Sequence, residues 1–256
     1  MKPQHRDAGT SRWRERLDAA LSDAVFVDAT LCPHCAAEPG RSAFFGLCPQ
    51  CGARLEPIGA RHFLSETIVR AQGGDVSVPH VVYTAAFYNN FLRTIFGEFK
   101  MAQKTYYAPV FQSMLVSYVV AHPVLPRLDW VSYIPQTHRK TVLRGSHPAR
   151  LLASAVAEAT GMPLVSTLSR RPGGVAQKKL NKGERAANVQ HRFDLVASDA
   201  AMLRARGGVG IVVDDFLTTG NTMAQALVTL ERADVYAVGL CLASVDYPTE
   251  EEQERG

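Results

Sequence analysis

Apolar residues return every three or four positions in two stretches of the chain, Phe91, Leu92, Ile95, Phe96, Phe99 and then Val110, Phe111, Met114, Leu115, Tyr118. That spacing predicts two amphipathic helices. A short strand is predicted from Trp130 to Ile134. A helix follows over about Pro148–Thr160, with Ser146 or His147 at its start and Gly161 as its stop. Leu164-Val165 is a second strand candidate, and a long polar, basic stretch runs from Ser169 to Asn188. The continuous apolar run Val209-Gly210-Ile211-Val212-Val213 has the character of a buried parallel strand. It is followed by a predicted helix, Thr222 to about Arg232, and a strand, Val235–Leu242. Strand, helix, strand in that order is a βαβ unit, so the expected fold is α/β, a mostly parallel sheet with flanking helices. Near the N-terminus, Trp13, Leu17 and Leu21 mark one face of a short packing helix.

Composition supports a sizeable core. The 256 residues are 46% hydrophobic and 20% charged. The best apolar stretch, Met114–Ala121, is broken by Ser117 and falls short of a membrane span. The N-terminal residues lack an apolar signal region, so a cytoplasmic protein is expected. The net charge of +4 conceals an asymmetry, because Ser132–Arg192 holds eleven Lys and Arg against Glu158 and Glu184, a local balance of +9. A solvated basic face is the plain account; an anionic ligand, either nucleic acid or a polyphosphate, also suits it.

Four of the five cysteines form two knuckles, Cys32-Pro33-His34-Cys35 and Cys48-Pro49-Gln50-Cys51, twelve residues apart. Two such pairs can present four thiolates to one tetrahedral ion, and zinc suits soft sulfur ligands. Two disulfides are the alternative, disfavoured in a reducing compartment. His34 is expected as an exposed neutral histidine, with replacement of a thiolate as the other reading. Four protein ligands leave no open position, so the zinc is expected to be structural. Cys241, in the last predicted strand, is expected to be a buried inert thiol.

Where the buried strand gives out, the chain reads Asp214-Asp215-Phe216-Leu217-Thr218-Thr219-Gly220-Asn221-Thr222. Ligands of α/β sheets bind beyond the C-terminal ends of the strands. Two ionised carboxylates there accept hydrogen bonds from a vicinal diol. The loop of small and hydroxyl residues opens a helix, whose amides and dipole favour a phosphate.

Here the sequence resembles the type I phosphoribosyltransferase superfamily, marked by four apolar residues, two acids and a Thr-Thr-Gly-x-Thr loop. A wider set of motifs is similar to the ComF family of competence-associated proteins. These are the cysteine knuckles, Tyr83, Phe99-Lys100, Ile134-Pro135 with His138-Arg139-Lys140, Arg144-Gly145, Gln177-x-x-Leu180 and Glu184-Arg185-x-x-Asn188-Val189. The match spans about residues 28–245. Two departures stand out: Ser146-His147-Pro148 replaces Phe-Asn-Gln after Arg-Gly, and Tyr83-Thr84-Ala85 replaces Tyr-x-Gly.

The resemblance implies a site for phosphoribosyl pyrophosphate (PRPP), carried with Mg2+. Asp214 and Asp215 would hold the ribose hydroxyls, and Thr218, Thr219, Gly220, Asn221 and Thr222 the 5′-phosphate. Lys100 and Arg139 are the expected residues on the pyrophosphate side, and Gln177, Arg185 and Asn188 the expected hood. The implied reaction transfers phosphoribose to a nitrogen or oxygen nucleophile with release of pyrophosphate. The alternative is a PRPP-binding scaffold of DNA uptake that contacts single-stranded DNA or a helicase partner. Between Arg139 and Arg192 there is no Phe, Tyr or Trp, which weakens base stacking there. Self-association into a homo-oligomer is a further expectation. The expected organisation is an N-terminal segment 1–27, a zinc ribbon 28–62, a phosphoribosyltransferase-like domain 81–247 and an acidic tail 248–256.

Overall fold

The computed structural model describes residues 31–38, 45–71, 74–101, 104–136, 147–170 and 193–245. The packing helix expected around Trp13, Arg139, Gln177, Arg185 and Asn188, and the acidic tail lie outside the described residues.

Five strands build the main sheet: β1 (Pro57–Ala71), β2 (Gly74–Phe87), β3 (Trp130–Tyr133), β6 (Val209–Leu217) and β7 (Tyr236–Ser244), in the order β1-β2-β7-β6-β3. β1 and β2 form an antiparallel hairpin, while β2–β7, β7–β6 and β6–β3 are parallel. The fold is therefore α/β with a mostly parallel sheet. β4 (Leu168–Arg170) and β5 (Phe193–Leu195) pair as a separate antiparallel ribbon. The expected strand at Leu164-Val165 is reduced to one parallel bridge, Val131 to Leu164.

Five helices of ten or more residues are described: α1 (Asn90–Met101), α2 (Ala108–Ala121), α3 (Pro148–Thr160), α4 (Ala197–Arg206) and α5 (Asn221–Glu231). The boundaries of α3 follow from local chemistry. His147 occupies the N-cap, its ring accepting from the Arg150 amide at 3.3 Å, Pro148 occupies the first turn, and Gly161 ends the helix at φ 72°. No helix among the described residues is long and apolar enough to cross a membrane.

The two faces of the sheet bury different sets of side chains. Ile211 and Val213 pack with α1, α2 and α3, whereas Val212 packs with residues of α4 and α5. This is the period-two alternation of a strand buried on both sides. The α5 face approaches closely because Gly239 of β7 has no side chain; a Cβ there would lie 2.7 Å from Val82 and 2.8 Å from Met223. A buried pair, His80 of β2 and Glu231 at the end of α5, adds a polar contact between that helix and the hairpin, 3.1 Å apart.

The cysteine module sits on the other face. Cys32, Leu47, Cys48, Cys51 and Leu55 belong to the same buried cluster as Phe91, Leu92, Ile95 and Phe96 of α1. The second knuckle is closed by one helical turn, Pro49–Gly52, in which the Gly52 amide donates to the Cys48 carbonyl at 2.8 Å. Gly46, just before it, adopts φ 81°, a left-handed conformation that glycine reaches at little cost.

Candidate functional site

β6 does not stop at Val213. It continues to Leu217 because β7 runs alongside it, Asp214 opposite Cys241 and Phe216 opposite Ala243. β3 pairs with β6 only as far as Val213. From Asp214 onward β6 is therefore paired through β7 alone, and the two acids lie inside the last half of a strand rather than in the loop beyond it. A crevice at the C-terminal ends of parallel strands results.

Asp214 lines a small pocket open to solvent together with Phe216, Thr218, Gly220, Thr222, Met223 and Cys241. Gly220 takes φ 71° at the N-cap of α5, and no side chain caps that helix. The first-turn amides of α5 consequently have no intrahelical acceptor and face the loop. Thr218, Thr219 and Asn221 are exposed and Thr222 is half-buried. Of the polar side chains of the predicted phosphate loop, Thr218 and Thr222 line the opening, while Thr219 and Asn221 are exposed outside its lining.

The two carboxylates differ in surroundings. Asp214 Oδ1 accepts the Asp215 amide at 2.8 Å, and Asp215 Oδ1 accepts the Phe216 amide at 2.8 Å. Burial, and after it the Asp215 carboxylate, push Asp214 up to about 8, against the opposing pull of the Asp215 amide, Lys100 and Arg170. Near neutral pH it is mostly a carboxylic acid, able to donate one hydrogen bond as well as accept. Asp215 forms an ion pair with Lys100 of α1. The Lys100 ammonium also lies 4.8 Å from the Phe96 ring centroid and 5.5 Å from that of Phe216. Of the two cations assigned to the pyrophosphate side, Lys100 is thus engaged with the acid pair, and Arg139 is outside the described residues.

Three residues at the crevice escaped sequence reasoning. Cys241 is buried as expected, yet it lines the pocket opposite Asp214, and burial raises its thiol well above the usual range. Only strand register could have disclosed that. The Nε2 atom of His147, which is half-buried, lies 3.1 Å from the Gln136 amide nitrogen, so the two ends of the segment between β3 and α3 are close together. Its burial lowers its pKa. Tyr133 packs edge-on against the same imidazole, with centroids 5.1 Å apart.

The four knuckle cysteines form a second centre. Their sulfur atoms all lie within 4.8 Å of one another, and Cys35 and Cys48 are 3.6 Å apart. Tetrahedral zinc with bonds of about 2.3 Å places sulfurs ~3.8 Å apart, so the cluster fits a metal such as zinc. Burial raises the Cys32 thiol, but amides of Cys48, Cys35 and His34 outweigh it and bring it down to about 7. Burial and the neighbouring sulfurs push Cys51 up. His34 is not free in solvent as expected. It is half-buried, edge-on to Phe91, with Nδ1 3.5 Å from the Tyr107 hydroxyl.

No protein-family model matches the chain, and no curated protein sequence matches it. Among solved structures it is similar to the adenine phosphoribosyltransferase of Leishmania donovani. That likeness has a TM-score of 0.33 and 12% identity, over 75% of this chain and 80% of that one.

Proposed function

We propose that the chain binds PRPP between Asp214 and the 218–222 loop and transfers its phosphoribose to a nucleophile. One observation carries the reading: Asp214, Thr218, Gly220 and Thr222 line a single pocket at the C-terminal end of a parallel strand. The 5′-phosphate is assigned to the amides and hydroxyls of Thr218, Thr219, Gly220, Asn221 and Thr222 at the start of α5. The ribose hydroxyls are assigned to Asp214, which as a neutral acid can both donate to and accept from a diol.

In the reaction, the bond from ribose C1 to the pyrophosphate oxygen breaks and that oxygen keeps the electron pair. The nucleophile bonds to C1 and gives up a proton. Positive charge developing on the sugar asks for alignment and charge neutralisation more than for a strong base. Magnesium enters as part of the substrate and neutralises the departing pyrophosphate. Among the described residues, Asp214 is the one carboxylate that lines the pocket, so no resident magnesium cage is assigned. Arg139, with Gln177, Arg185 and Asn188 as a closing hood, completes the reading on the pyrophosphate side. The zinc module serves as a structural element.

The test is calorimetric titration of magnesium-PRPP into the zinc-loaded protein and into an Asp214→Leu variant. Binding by the first and not the second is expected, followed by pyrophosphate release on screening nucleophiles. No binding by the folded wild type would overturn the reading. It would direct attention to single-stranded DNA and helicase partners, where binding should weaken steeply with salt.

A further inference from the structure

The ion pair between Lys100 and Asp215 lies behind the pocket rather than in it. Ile211 and Val213 face α1–α3 and Val212 faces α4 and α5. Beyond Val213 that alternation is lost, since Phe216 also turns toward α1 and Leu217 toward α5, yet the two acids still part: Asp214 meets Cys241 and the 218–222 loop, whereas Asp215 meets Lys100 of α1. The pair is largely withdrawn from water: the Lys100 side chain is 22% exposed and that of Asp215 17%. Rings of Phe96 and Phe216 flank the ammonium, and those two rings touch each other with centroids 4.3 Å apart. An ammonium held in this way is spoken for before any anion arrives. Freeing it for pyrophosphate would strand a mostly buried carboxylate, which is costly.

We infer that Lys100 is a positioning residue that acts through Asp215, holding that carboxylate on the α1 face of β6 so that Asp214 alone meets the ligand. The two adjacent acids therefore divide the work. Asp214 takes the sugar, and Asp215 fastens helix α1 to the strand that carries the site. The identity of the ligand rests on the PRPP reading above; the division of roles rests on the geometry of β6. The charged and titratable groups facing the acids are Lys100, Arg170, Cys241 and, toward Asp215, His147.

The experiment is a 13C-carboxylate NMR titration of Asp214 in the full, zinc-loaded chain, for wild type, Lys100→Met, Asp215→Asn and Lys100→Arg. It is joined to magnesium-PRPP calorimetry on the same proteins and on the Lys100→Met, Asp215→Asn double variant. Removing the ammonium leaves the Asp215 charge bare and should raise the Asp214 midpoint. Removing the Asp215 charge should lower it, and Lys100→Arg should restore the wild-type value. Mere loosening of structure would hydrate Asp214 and lower the midpoint in both single charge-removing variants, which would overturn the proposal. In binding, Lys100→Met and Asp215→Asn should each cost about tenfold, the usual scale for a residue that orients a ligand-binding one. The double variant should be no weaker than either single, because the two act as a unit. Asp215→Asn abolishing binding as fully as Asp214→Leu, or additive losses in the double variant, would also overturn it. If wild type binds no PRPP, the function reading fails, and the titration alone then decides the role of Lys100.

Discussion

His34 meets Phe91 edge to face, with ring centroids 4.9 Å apart and planes at 86°. His34 belongs to the first cysteine knuckle and Phe91 to the first turn of α1, so this contact joins the cysteine module to the helix that carries Lys100 in its last turn. It is reinforced on both sides. The Arg54 guanidinium lies 4.2 Å from the Phe91 centroid. Asn89 caps α1 by accepting the Leu92 amide at 2.9 Å, while its amide group donates to the Arg54 carbonyl at 2.7 Å. Lys100 follows Phe91 by nine helical steps, about 14 Å along a helix. One rigid element therefore spans the cysteine cluster and the acid pair.

Removal of the metal should be felt well beyond the knuckles. One equivalent of zinc per chain is expected by elemental analysis. Its chelation should lower Tm by roughly 10 °C, because a structural zinc contributes several kcal/mol and each kcal/mol is worth about 2–4 °C in a chain of this size. Calorimetric melting with and without a strong chelator checks this. A shift under about 2 °C, or less than half an equivalent of zinc, would contradict the assignment.

Asp214 should make stability depend on pH. Its folded-state pKa is raised to about 8 from 3.8. Between those values the unfolded chain releases a proton that the folded one retains, so stability falls as pH rises through this window and levels off above about 8. Urea unfolding at several values between pH 6 and 9 should show this decline in wild type and a flatter profile for Asp214→Asn. Parallel profiles would mean that the carboxyl is ionised in the folded protein.

Gly239→Ala should be destabilising by about 1–3 kcal/mol, since the added methyl meets Val82 and Met223 below van der Waals distance. The α5 helix would have to lift from the sheet, and the phosphate loop with it. Denaturant unfolding measures the loss, and a change under about 0.5 kcal/mol would show that the helix yields freely.

Thr222→Val removes one hydroxyl from the pocket while keeping the shape of the side chain. Magnesium-PRPP binding should weaken about tenfold, the value of one hydrogen bond to a charged group, with little change in Tm. Unaltered affinity by calorimetry would take Thr222 out of the phosphate site.

Much of this was legible along the chain because it is set by near neighbours. The knuckle spacing foretold four clustered sulfurs. The periodicity of Phe91, Leu92, Ile95, Phe96 and Phe99 foretold α1, and Pro148 and Gly161 bracketed α3. The apolar run at Val209–Val213 marked a strand buried on both faces. The hairpin of β1 and β2 went unpredicted, since its outer rungs pair only with each other and carry no long apolar run.

The site divides in the same way. Residue types at 214–222 led the sequence to be read as a place for a sugar phosphate, because the residues behind that expectation are consecutive. Whether β6 stops before the acids or runs through them depends on β7 beside it, and which face each acid takes depends on that pairing. Lys100 finds Asp215, and Cys241 finds Asp214, only once the sheet is assembled. Contacts between residues far apart in the chain are decided by register and packing, and neither is written in local pattern.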